Sequence, residues 1–99
     1  MSRLAELTHD DFDTLKGEVF ELHHGAGTIP LTLETVEPLG HPHPGATRAP
    51  FSLSFRGAPG LRLPQGIHRL EHRGPGTMEI FLTQLAADPA GSLFEAVFS

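Results

Sequence analysis

The sequence predicts an all-β fold of about six strands with one short N-terminal helix, either a small antiparallel barrel or a sandwich. Three observations predict it. Apolar residues recur with a period of two through most of the chain. The 11 Gly and 9 Pro show no collagen period and fall between the alternating stretches, as turn residues do. Only one stretch, near the N-terminus, carries helix signals. The 99 residues suit a single domain with one modest core.

The helix is expected over about residues 9–16. Thr8 is placed to cap it, with Asp11 three positions on closing a capping box. Leu7 and Phe12 have the spacing of a hydrophobic staple. Asp10, Asp11 and Asp13 set negative charge against the positive end of the helix dipole. Gly17 offers a left-handed C-cap, and Phe12 and Leu15 face the core. So short a helix needs tertiary packing to persist, and plugging one open end of the β structure supplies it.

From Gly17 the period is two. Phe20 and Leu22 share one face of a first strand, and residues 24–27 turn. A second strand over residues 28–36 turns Ile29, Leu31 and Leu33 inward. Pro30, lacking an N–H, marks it as an edge or a strand start. Residues 38–50, rich in Pro, Gly and His, read as a long surface loop. Phe51, Leu53 and Phe55 alternate with Ser52, Ser54 and Arg56 in the clearest strand, its serines on an exposed face. Residues 57–66 form a Pro/Gly connection with Leu61 and Leu63 tucked beneath it. Residues 67–72 and 77–85 form a hairpin about Gly74-Pro75-Gly76, a type II turn. Leu70 selects His68, Leu70 and His72 as the inward set of the first of these strands. Met78, Ile80 and Leu82 are the inward set of the second. After a turn at residues 88–91, Phe94, Ala96 and Phe98 face inward from the last strand.

Composition excludes several functions. Without Cys there is no disulfide scaffold, thiolate metal site or Cys nucleophile. No apolar run is long enough for a transmembrane helix, so membrane insertion is not expected. Residues 1–13 are polar and acidic, unlike a secretory signal. The expected location is the cytoplasm, or a particle assembled there. Net charge is −5. Residues 1–37 hold eight acids against Arg3 and Lys16, while residues 38–99 hold four acids against five Arg. This balance argues against nucleic-acid binding. Protonating the seven His would carry the chain to about +2.

No residue pattern demands catalysis. His68 and His72, four apart on a strand, lie about 13 Å apart, too far for one metal without ligands from elsewhere. His23-His24 are adjacent, and His41 and His43 sit in the long loop. A zinc site wants three or four converging ligands, so the expectation is no metal and no cofactor. Ser52 and Ser54 lack a nucleophile elbow and a base. Glu18/Glu21 and Glu71/Glu79 are candidate carboxylate pairs, but a strand-face Glu opposite Arg is more often an ion pair, and Glu71 with Arg69 or Arg73 fits that reading. The five Arg of the second half suit carboxylate recognition or an interface. Arg56, Arg69, Glu71 and His72 are therefore the ligand or interface candidates, and they make a site if they converge on one face.

Leu7-Thr8-His9-Asp10-Asp11-Phe12, Gly17-Glu18-Val19-Phe20 and Ala49-Pro50-Phe51-Ser52-Leu53-Ser54-Phe55-Arg56-Gly57 follow one another in a recognisable order. Leu63-Pro64-Gln65-Gly66-Ile67-His68-Arg69-Leu70-Glu71-His72, Glu79-Ile80-Phe81-Leu82 and Phe94-Glu95-Ala96-Val97-Phe98 continue it. This order resembles a small uncharacterised bacterial domain family, whose members resemble neighbours of phage tail-collar-like proteins. The 38–50 loop departs from the pattern. The resemblance implies a non-enzymatic structural or accessory subunit of a bacterial or phage-tail-like assembly, with a protein partner or self-association, and brings no catalytic residues. The second expectation is a small-ligand-binding β-barrel using an Arg/Glu/His face. A third is association that responds to pH through the histidines.

Overall fold

In the computed structural model of the chain, which describes residues 7–40, 44–45 and 49–98, six antiparallel strands close into a barrel. The elements are α1 (His9–Asp13), β1 (Val19–His24), β2 (Gly27–Pro38), β3 (Phe51–Gly57), β4 (Gly66–His72), β5 (Gly76–Asp88) and β6 (Gly91–Phe98). Around the barrel they run β1-β2-β3-β6-β5-β4, with β4 returning to β1. The chain thus makes two three-stranded meanders joined by one crossover through residues 58–65. A barrel, and not a sandwich, is the architecture.

The alternation is what closes it. Phe20 and Leu22, Leu31 and Leu33, Phe51, Leu53 and Phe55, Leu70, Met78 and Leu82, and Phe94 and Ala96 are all buried in one cluster. β4 turns Leu70 inward and leaves Ile67 outside, as its pattern predicts. Leu63 is buried and Leu61 packs against the core beneath the crossover. Gln84 anchors that crossover. Its amide accepts from Leu63 N–H at 3.1 Å and donates to the Leu61 carbonyl at 2.8 Å.

The helix is shorter than the expected residues 9–16. Thr8 N–H donates to the Asp11 carboxylate at 2.9 Å, the reciprocal half of a capping box. After Asp13 the bonds run to the third residue back (Leu15 N–H to Phe12 O, Lys16 N–H to Asp13 O), which tightens the chain into a turn. Gly17, at φ 88°, then directs its N–H to Leu33 O in the sheet. The short helix persists because Phe12 is fully buried, its ring centroid 5.8 Å from Phe51 and 5.6 Å from Phe98. It plugs the barrel end where those two rings stack.

Other boundaries shift for local reasons. Only Gly25 and Ala26 turn between β1 and β2, since His24 and Gly27 already pair. Pro30 lies within β2 and not at its start, on a stretch that is an edge on its β3 side. It pairs with Glu21 of β1, and pairing with β3 begins only at Thr32, so its missing N–H leaves no gap there. A bulge between Leu33 and Thr35 resets the alternation, making Val36 the next buried residue and turning Glu34 outward. A second shift lies between Gln84 and Ala86. β2 runs to Pro38, and His41 and His43 fall outside the described residues. Ser52 is buried, and Ser54 is half-buried with its hydroxyl bonded to that of Thr35, which corrects the exposed face expected for both. The β4–β5 connection is Arg73-Gly74-Pro75, closed by the His72–Gly76 pair with Gly76 at φ 85°.

Candidate functional site

The ring order separates the four sequence candidates. β3 and β4 stand on opposite walls of the barrel, so Arg56 does not meet Arg69, Glu71 or His72. The bulge in β2 presents Glu34 to Arg56 instead. The guanidinium donates through Nε at 3.1 Å and Nη2 at 2.9 Å to the two carboxylate oxygens. Its Nη1 donates to Gly91 O at 3.3 Å. The Arg56 hydrogen bond, and after it the guanidinium charge, holds the Glu34 carboxyl below the usual range against the opposing effect of burial. Arg56 thus fastens three strands together.

Arg69 donates to Glu79, its cross-strand partner on β5, at 3.5 Å between exposed side chains. The expected pairing of Glu71 with Arg69 or Arg73 is replaced. Glu71 accepts from His23 Nε2 at 2.9 Å across the β1–β4 seam. That seam is the shortest in the barrel: Glu21–Glu71, Leu22–Leu70 and His23–Arg69 are its only paired positions. Two carboxylates therefore face each other directly, which is unfavourable, and His23 reaches diagonally to offset it.

Beyond the last pair the seam opens into a groove of about 670 Å³, lined by Glu18, Val19, Glu21, Glu71, His72, Arg73 and Gly76. His72 forms its inner end, with its side chain only 8% exposed. The ring packs on Phe20 at a centroid distance of 4.6 Å. Nε2–H donates to Glu18 at 2.7 Å, and Nδ1 accepts from the Gly74 N–H at 2.9 Å. Both nitrogens are thus engaged by groups of the chain itself. His68 is held separately, its Nε2–H donating to Pro64 O at 2.7 Å. Among the described residues no three His, Asp or Glu side chains gather as metal ligands would. The sequence singles out His72, Glu18 and the Gly74 turn separately but does not join them, since the Glu18 contact links residues far apart in the chain.

A second surface feature was not singled out from the sequence. Ile67 of β4 and Phe81 of β5 are cross-strand partners on the outer face. Val97 lies on β6, two residues past Glu95, which pairs with Thr83 two residues past Phe81. The three are 71%, 50% and 60% exposed. They are large apolar side chains at outward positions of three successive strands, with the Arg69–Glu79 and Thr83–Glu95 pairs nearby. The only sequence signal was three apolar residues at outward positions of alternating strands.

Fold and surface together define a small closed β-barrel module whose candidate polar residues mostly bind its own strands. Residues 7–98 match the domain of unknown function DUF6916, and the chain belongs to that family. A comparison with curated proteins found no match, and neither did one with solved structures.

Proposed function

We propose that the chain is a non-enzymatic interaction module, an accessory or structural subunit that docks a partner protein through the outer face of β4, β5 and β6. The observation that carries this reading is the exposure of Ile67, Phe81 and Val97 at outward positions of these three strands, the first two side by side. Large apolar side chains gathered on one solvent face are a usual mark of a contact surface. Arg69, Glu79 and Glu95 nearby fit a partner with an apolar centre and a mixed-charge rim. Against a ligand-holding barrel stands the interior. Eight strands leave just enough room for side chains to fill, and this six-stranded barrel places its Phe and Leu side chains there in one packed cluster. The tail-like setting, and a location in the cytoplasm or in a particle assembled there, rest on the sequence resemblance and belong to the same proposal.

The test is affinity capture from the native organism with the wild-type chain and an Ile67→Thr/Phe81→Thr/Val97→Thr variant, followed by mass spectrometry. Threonine keeps the strand preference, so the melting curve should change little. The expected result is a partner protein retained by the wild type and lost by the variant. Equal retention by both, or no partner on the wild type, overturns the reading.

A further inference from the structure

We infer that His72 is a proton-operated catch that holds the β4–β5 turn against the helical plug. The inference rests on the tautomer that its partners impose. Glu18 accepts at Nε2 and the Gly74 N–H is given to Nδ1, so the bound ring carries its one proton on Nε2. A second proton has only Nδ1 to occupy. There it meets the Gly74 N–H, donor against donor, and the turn loses its bond to the ring. Imidazoles gain this proton within the mildly acidic range.

Charged groups of both signs surround the ring. Glu18 from the segment before β1, Glu21 on β1, Glu71 on β4 and Arg73 beside the ring line the groove with it. Asp11, on the helix side of the turn, adds negative charge beyond Gly74. Protonation strengthens the Glu18 contact and breaks the Gly74 contact. The ring therefore stays on β1 while the turn is released. The two halves of one imidazole respond oppositely, which is what makes a catch and not a simple loss of structure.

What the catch holds is the end of the barrel. A Cβ built on Gly74 would lie 3.1 Å from His72 Nδ1 and 4.0 Å from Leu15 Cδ2, so the turn is sandwiched between ring and plug. A cavity of about 220 Å³, lined by Leu7, Phe12, Leu15, Gly74 and Pro75 among others, separates turn from plug. Releasing the turn widens that cavity and exposes the apolar flank of α1.

Nuclear magnetic resonance on the intact chain tests this. At neutral pH the nitrogen shifts of His72 should report the Nε2–H tautomer. On acidification the Gly74 amide proton shift should follow the His72 ring titration. The Gly74 amide should lose about tenfold or more of its protection from exchange after correction for intrinsic rate, and the Leu15 methyls should shift with it. In His72→Asn the side-chain oxygen takes the place of Nδ1 without titrating, so Gly74 should be insensitive over the same range. A wild-type Gly74 amide that ignores the ring titration, or the Nδ1–H tautomer at neutral pH, overturns the inference. So does an unchanged pH response in a folded His72→Asn chain. Should that variant not fold, the wild-type measurements alone decide.

Discussion

Replacing Phe12 by Ala tests the claim that a five-residue helix is held by one ring. Phe12 is fully buried and contacts the Phe51 and Phe98 rings, which themselves stack at 4.7 Å and 5°. Phe→Ala at a buried site costs about 3–5 kcal/mol through lost transfer energy and the cavity left behind. The upper half applies here, because two tilted ring pairs, worth about 0.5–1.5 kcal/mol each beyond area, go with it. In a domain near 100 residues about 1 kcal/mol shifts Tm by 4–8 °C. The expected fall is therefore about 15 °C or more, a large share of the roughly 5–15 kcal/mol that stabilises a typical domain. Urea unfolding followed by far-ultraviolet circular dichroism measures it, and hydrogen exchange at residues 9–13 should show the helix unseated even where the barrel survives. A loss below about 1 kcal/mol, with the helix still protected, would refute the plug as its support.

Two further outcomes concern Arg56 and its surroundings. The lowered Glu34 carboxyl means that its contribution is fully present above the ordinary glutamate range and is lost as pH falls through the lowered value. Glu34→Gln should lower stability at pH 7 by about 0.5–1 kcal/mol, the scale of a part-exposed bidentate pair, and the gap to wild type should be smaller at an acidic pH below the lowered value. Urea midpoints at the two pH values check both parts, and a gap that stays constant contradicts the pairing. Gly91→Ala should cost about 1–3 kcal/mol in thermal unfolding, because Gly91 sits at φ 137°. Its added Cβ would also lie 2.7 Å from Gly57 O and from Arg56 Cδ. A neutral Gly91→Ala would mean that the turn relaxes freely.

The strands were legible wherever one face is buried, because a period of two then leaves no other register. Phe51, Leu53 and Phe55 show this, and so does Leu70, which decided the facing of β4. The helix start was legible from Thr8 and Asp11. Its end was not, since the carbonyl that draws in Gly17 belongs to Leu33 in another strand. The bulge at Glu34 carries no local signature and shows only once Leu33 and Thr35 are set against β3. The candidate site was legible as residue types and illegible as an arrangement. Arg56 and His72 were singled out by their chemistry, but their partners are fixed by closure of the barrel. Glu71 was paired on paper with the nearest arginines in sequence, and β1 supplied His23 from outside that horizon.

The order β1-β2-β3-β6-β5-β4 also bears on how the chain reaches its fold. Each meander forms from neighbours in sequence, but Phe51 finds Phe98, and Glu21 finds Glu71, only when both meanders exist. Such distant pairings make all-β domains slow, on the scale of milliseconds to seconds. Until they form, β1, β3, β4 and β6 are open edges that offer themselves to other chains. The β3–β6 junction has seven paired positions and the β1–β4 seam three, so the seam has the shorter ladder to hold it closed. Glu21 and Glu71, partners on that seam, set like charges side by side wherever these two edges meet, within one chain or between two.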